Sequence, residues 1–198
     1  AENFPQHIAL PRGCFDAARD LLVDNGIRLD LHDERYAGTP IAVGFSGTLR
    51  ADQEAAVAAM LDRDAGVLCA PTAFGKTVTA AAIIAKRGVN TLVLVHRTEL
   101  LKQWQVRLAA FLDAGKGVIG VIGGGKNKPT GQIDIAVMQS LSRQGEVDPL
   151  VESYGQVIVD ECHHVGAASF DAILRRAKAK CYDPRQFRVT DPAYSRLI

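Results

Sequence analysis

Gly75-Lys76-Thr77 closes the stretch APTAFGKT, residues 70–77, and that combination suits phosphate chemistry. Backbone N–H groups of such a loop curl around phosphate oxygens, and a helix opening on Lys-Thr adds its positive dipole end. Lys76 would reach the β- and γ-phosphates and Thr77 would bind Mg2+ through its hydroxyl, with Pro71, Thr72, Ala73, Phe74 and Gly75 forming the cradle. A plain strand-to-helix turn is the competing reading. A second constellation lies at VIVDECHH, residues 157–164, where an apolar run delivers Asp160 and Glu161 together. Asp160 can hold Mg2+ through water and Glu161 can orient or deprotonate an attacking water. A pair of strand-end acids capping a following helix is the alternative. Cys162, His163 and His164 are adjacent, so their side chains diverge, and zinc sites use spaced ligands instead.

These residues need elements that hold them at one edge of a sheet. Short apolar runs recur at 66–70, 91–96, 117–122, 133–138 and 156–161, each apolar nearly throughout, as in strands covered on both faces. Helical patterns separate them. TELLKQWQVRLAAFL aligns Leu101, Trp104, Leu108 and Phe111 on one face, and SFDAILRRAKAK aligns Phe170, Ile173, Leu174 and Ala177. This alternation predicts an α/β fold with a mostly parallel central sheet flanked by helices, whose ligands gather beyond the carboxyl ends of the strands. Residues 1–48 have a different rhythm. A helix is expected within RGCFDAARDLLVDNG, with Phe15, Ala18, Leu21 and Leu22 at helical spacing, then a half-buried strand in IRLDLHDER with which IAVGF could pair.

The chain has 198 residues, 47% hydrophobic and 23% charged, enough for one sizeable core. A net charge of +1 excludes a uniformly cationic nucleic-acid binder while allowing a local basic surface. Four scattered cysteines show neither disulfide nor zinc spacing and fit a reducing, intracellular setting, cytoplasmic in a bacterium or archaeon. No apolar run reaches the roughly 18 residues a membrane span needs. The first residue is Ala, which reads as a processed or partial chain.

Taken in order, LRADQ, APTAFGKT, LVLVHRTELLKQW, VMQSL and DECHH resemble the first RecA-like motor domain of superfamily 2 helicases of the DEAD/DEAH-box kind. The DECH tetrad and the Gln-Trp of LLKQW are similar to the branch of repair helicases and restriction-enzyme motor subunits. The resemblance spans roughly residues 49–180 and implies ATP and Mg2+ as cofactors, with a nucleic acid, DNA ahead of RNA, as partner. It also implies roles. Gln53 resembles the adenine-reading glutamine, with Arg50 shaping the same pocket; an exposed helical position is the other reading of Gln53. His163 resembles the residue coupling the ATP site to a second motor domain. Arg97 and Thr98, Gly124 within GGGK, and Ser140 within MQSL resemble loops that touch the nucleic-acid backbone, which gives register without sequence information. Thr98 and Ser140 as helix caps and the glycines as a loose turn are the simpler readings.

Two departures stand out. The family more often has glycine at position 73, and if the backbone there takes positive φ, Ala73 costs roughly 1 kcal/mol. Residues 181–198, CYDPRQFRVTDPAYSRLI, carry two Asp-Pro turns and no Ser-Ala-Thr or Thr-Ala-Thr triplet, so they read as an off-pattern tail: a truncated or altered end, or an out-of-frame one. The expected organisation is therefore a small α+β element (1–48), a RecA-like ATP-binding domain (49–180) and the tail. The expected function is the N-terminal motor domain of an ATP-dependent DNA helicase or translocase. The alternatives are an ATPase subunit of a restriction or defence complex, or a non-catalytic nucleic-acid-binding scaffold. With the second RecA-like domain missing, slow hydrolysis and no unwinding are expected of the chain alone.

Overall fold

The computed structural model describes residues 2–4, 7–9, 15–28, 35–71, 73–143, 145–161 and 168–181. The N-terminal part holds a short antiparallel pair, β1 (Glu2–Phe4) and β2 (His7–Ala9), and helix α1 (Phe15–Asp24). The helix falls within the stretch expected of it, but Leu21 is 65% exposed and so does not serve as a core position. Of the strand expected in IRLDLHDER, residues 29–34 lie outside the described residues, and Ile27 and Arg28 are not in a strand. IAVGF has its described partner elsewhere: β3 (Gly44–Phe45) runs antiparallel to β5 (Leu112–Asp113). An apolar alternation specifies which side is buried, not which backbone is available as a partner, and Leu112 supplied it.

Helices α2 (Ala51–Leu61) and α3 (Lys76–Arg87) come next, then β4 (Thr91–Val95) and α4 (Thr98–Phe111), which ends against β5. Strand β6 (Ile119–Gly123) turns back as β7 (Lys126–Lys128), followed by β8 (Ile133–Val137), the single-turn helix α5 (Met138–Leu141) and the small pair β9 (Ser142–Arg143) and β10 (Glu146–Val147). A 3-10 turn at Pro149–Ser153 leads to β11 (Gln156–Val159), and α6 (Ala168–Arg176) completes the described elements. The central sheet has five strands in the order β11-β4-β8-β6-β7. The β11–β4, β4–β8 and β8–β6 pairs are parallel, and β7 is antiparallel at the edge.

One predicted strand is absent: Gly66–Ala70 is irregular and mostly half-buried. Beside β11 the sheet accepts the backbone of Cys181 instead, which donates to Gly155 O at 3.1 Å and accepts from Val157 N at 3.2 Å. An apolar run becomes a strand only when a neighbour offers N–H and C=O groups in register, and none among the described residues does so for Gly66–Ala70. The other runs form strands within two residues of their expected bounds at either end.

Two apolar layers cover the sheet. On one side Phe170, Ile173 and Leu174 of α6, with Ala177 just past its end, pack with Leu92, Leu94, Leu141 and Tyr154. On the other, Leu101, Trp104 and Leu108 of α4 and Ala81 and Ile84 of α3 pack on Val93, Val95, Ile135 and Val137. The odd and even residues of β4 thus face opposite layers, which is why TLVLV carries no polar alternation. Residues 36–41 also join this body: Tyr36 N donates to Lys178 O at 2.7 Å and Ile41 N to Gly88 O at 2.8 Å.

Polar groups fasten the amino-terminal edge of the sheet. Buried Asn90 donates to Gly131 O (3.2 Å) and Ser153 O (2.7 Å) and accepts from Thr39 N (2.9 Å) and Gly155 N (3.0 Å), so all its capacity is used. Asp134, fully buried in β8, accepts from Thr130 N (2.8 Å), Thr130 Oγ1 (3.2 Å), Gly131 N (2.7 Å) and the Tyr154 hydroxyl (2.6 Å). A buried carboxylate survives only with partners of this number and kind.

Candidate functional site

Helix α3 runs back along the sheet and ends just before β4 begins, so its Lys76 end lies at the carboxyl edge of the strands. Asp160 follows β11, Thr98 follows β4, the Gly124 turn follows β6 and Ser140 follows β8. All the described candidates therefore share the edge where open parallel sheets bind ligands. Thr72 and His163 lie outside the described residues, as do Cys162 and His164.

The loop before α3 is held in an uncommon shape. Ala73 has φ 69° and Gly75 has φ 90°, and Gly75 is the N-cap. A side chain at Gly75 would not fit, since its Cβ would lie 2.6 Å from Gln53 Nε2. Gly75 O accepts from Val78 N and Thr79 N at 3.0 and 3.1 Å, starting the helix. Lys76 Nζ donates to Ala70 O at 3.3 Å, linking the first helical residue to the loop's entrance. Ala73 takes the left-handed conformation that its glycine-preferring position suggested.

Gln53 is buried, 3% exposed, rather than an open helix position. Its Oε1 accepts from Arg50 N (2.9 Å) and its Nε2 donates to Phe74 O (2.7 Å). Both ends of the amide thus act within the chain, tying the start of α2 to the phosphate loop. Arg50 joins the same clasp: it donates to Phe74 O at 2.9 Å, its guanidinium lies 5.7 Å from the Phe74 ring centroid, and it pairs with Asp52. That pairing holds the exposed Asp52 carboxyl below the usual carboxylate range.

Asp160 N donates to Leu94 O at 3.0 Å, continuing the parallel ladder one residue past β11. Its Oδ2 accepts from Trp104 Nε1 at 2.7 Å. Glu161 then turns with φ 55°. Among the described residues, Ala73 and Glu161 are the two non-glycines at positive φ, one in each chemical motif. Such strain persists only where the surroundings enforce it, and it gathers at functional sites.

The three strand-facing loops meet. Gly124 and Gly125 form a two-residue turn with φ 58° and 80° between β6 and β7, the conformation that matches the twist of a tight hairpin. A Cβ on Gly124 would lie 2.7 Å from Thr98 Cγ2, and one on Gly123 would lie 3.0 Å from Ser140 Oγ. Neither hydroxyl caps a helix: Arg97 and Val137 hold the N-cap positions of α4 and α5, without side-chain caps. Arg97 and Thr98 are exposed.

The pairing of Trp104 with Asp160 and the Asn90 and Asp134 clusters were not read from the sequence. A buried indole N–H needs an acceptor, and that requirement was the available signal for Trp104.

Residues 46–190 match the family described as "Type III restriction enzyme, res subunit". The chain belongs to that family. Its body is the RecA-like motor domain of superfamily 2 helicases, and helicases of this kind use ATP. Among related proteins, the DNA 3'-5' translocase XPB2 of Sulfurisphaera tokodaii is 33% identical over 127 residues, 64% of this chain and 28% of that protein. The DNA 3'-5' helicase XPB of Mycobacterium tuberculosis is 31% identical over 138 residues, 66% of this chain and 25% of that protein. The chain thus spans about a quarter of the length of these curated relatives. In fold it is similar to the UvsW helicase of bacteriophage T4, with a TM-score of 0.64 at 18% identity over 87% of this chain and 69% of that one. No helix among the described residues is long and apolar enough to cross a membrane.

Proposed function

We propose that the chain is the N-terminal ATP-binding motor domain of an ATP-dependent DNA helicase or translocase that hydrolyses Mg-ATP in its parent protein. The observation carrying this reading is that the phosphate loop and the Asp160-Glu161 pair lie toward the same, carboxyl edge of the sheet, each with a strained non-glycine residue. In it, Pro71 to Thr77 cradle the phosphates, and Arg50 and Gln53 support the cradle by fastening Phe74. Lys76 offers charge to the β- and γ-phosphates, and Glu161 orients the attacking water. Magnesium takes oxygen ligands from one or two carboxylates, waters and phosphate. Asp160 and Thr77 supply oxygens of that kind, and Trp104 is the one hydrogen-bond partner of the Asp160 carboxylate among the described residues. A bound Mg2+ would neutralise charge building on the phosphates.

Arg97, Thr98, Gly124 and Ser140 form the surface for the nucleic-acid backbone, with DNA favoured by the names of the relatives. His163 couples this site to a second RecA-like domain of the parent protein. The division at residues 48 and 180 belongs to the same proposal. Arginine fingers from that second domain would be worth about 10³ to 10⁵ in rate, so the chain alone hydrolyses ATP slowly and does not unwind. The description of its family favours one variant, in which the motor serves a restriction or defence complex.

The test is binding of a fluorescent ATP analogue with Mg2+. Lys76→Ala removes a charge-assisted contact of about 1.5–3 kcal/mol, which is roughly ten- to a hundredfold in affinity. Equal affinity of variant and parent would sink the motor reading.

A further inference from the structure

We infer that Trp104 is a positioning residue for the carboxylate of Asp160. The inference rests on the reading of Asp160 as the carboxylate that holds Mg2+. Trp104 Nε1 lies 2.7 Å from Asp160 Oδ2, within the short range of hydrogen bonds to charged acceptors. Fifty-six residues separate the two, so helix α4 alone brings the indole to this place. The ring is 4% exposed and packs in the layer of Val93, Val95, Leu101, Leu108, Ile135 and Val137. It therefore cannot swing away without disturbing that layer. The backbone of Asp160 is fixed from the other side by its bond to Leu94 O. With the main chain anchored and no further partner for the carboxylate among the described residues, the indole N–H sets its rotamer. It occupies one lone pair of Oδ2 and leaves Oδ1 for a water or a cation.

Packing alone does not account for this arrangement. A buried indole needs some acceptor, and a backbone carbonyl would satisfy it. Here the acceptor is the acid of the hydrolytic motif. The residue next to it, Glu161, is turned out of the strand at φ 55°, so the orientation of Asp160 is not inherited from a continuing strand.

Trp104 is the one tryptophan of the chain, so its indole N–H gives a single resolved NMR signal and its emission is the only tryptophan emission. Three proteins are compared: the parent chain, Trp104→Phe, which keeps an aromatic ring and removes the donor, and Asp160→Asn. The affinity for a non-hydrolysable ATP analogue is measured in all three as Mg2+ is varied, and the indole signal is followed in the two that carry Trp104. In the parent chain the indole signal moves with Mg2+, and Asp160→Asn both shifts its starting position and abolishes the response. Trp104→Phe binds the analogue in EDTA as the parent does but needs about tenfold more Mg2+ for the metal-dependent gain in affinity, the equivalent of one lost hydrogen bond to a charged group. An unchanged Mg2+ requirement in Trp104→Phe, with the parent's response intact, overturns this inference and leaves the motor reading standing. No Mg2+ response in the parent removes both. If Trp104→Phe does not fold, the indole signal decides: a position unmoved by Asp160→Asn overturns the inference.

Discussion

Replacing Ala73 by glycine should stabilise this protein, an uncommon direction for a change to glycine. Ala73 sits at φ 69° on an exposed stretch of loop. The left-handed conformation costs an L-residue about 1–2 kcal/mol, because Cβ crowds the following carbonyl. Glycine escapes that cost but loses about 0.4–1 kcal/mol through the greater freedom of its unfolded chain. No packing is given up, since the methyl is exposed. The balance is a gain of about 0.5–1 kcal/mol, or about 1–4 °C in Tm for a chain of this size. Thermal unfolding followed by circular dichroism measures it. Ala109→Gly, on the exposed face of α4, is the matched control, and there the same chemical change costs about 1 kcal/mol. If Ala73→Gly lowers Tm as Ala109→Gly does, residue 73 is not held at positive φ and the argument from strain is wrong.

Two further changes probe the opposite edge of the sheet. Asn90→Ala strands two N–H groups and two carbonyls that the side chain now pairs; a loss of about 3 kcal/mol or more is expected in urea unfolding. Burial, and then the hydrogen bond to Asp134, push the Tyr154 phenol well above its usual 10.0. The folded pKa exceeds the unfolded one, so this contribution is complete below about pH 10 and fades as pH rises above it. Tyr154→Phe should therefore cost about 1.5–3 kcal/mol at neutral pH, and the gap to the parent should narrow in unfolding measured above pH 10.

Sequence patterns recovered what depends on local order. Gly75-Lys76-Thr77 opens a helix, the apolar runs of β4, β8 and β11 are buried strands, and the faces of α4 and α6 pack as their periods require. What escaped depends on partners distant in the chain. Gly66–Ala70 has a strand's composition but no ladder partner among the described residues, and β3 pairs with β5, far along the chain. Asp52-Gln53-Glu54 leaves Gln53 open to two readings, an adenine-reading amide or an exposed helix position; its amide is buried against Phe74, a partner 21 residues away. Asp134 was hidden by the strand it sits in: IDIAV counts as apolar, and its single charge passes as an interruption. A lone carboxylate in a strand covered on both faces must be fully paired, so the residue itself announced a cluster without naming Thr130 or Tyr154.

The split between the two edges of the sheet also has a mechanical meaning. Asn90, Asp134, Tyr154 and the Thr91–Gln156 contact bolt down the ends where β4, β8 and β11 begin. The opposite edge carries the glycine turn after β6 and two strained backbones, Ala73 in the loop before α3 and Glu161 after β11. A plate clamped along one margin bends at the other, so a push on the loops is not absorbed by the fold beneath them. Compliance is therefore expected at the rim proposed to handle phosphate, with the clamped margin as its fixed support.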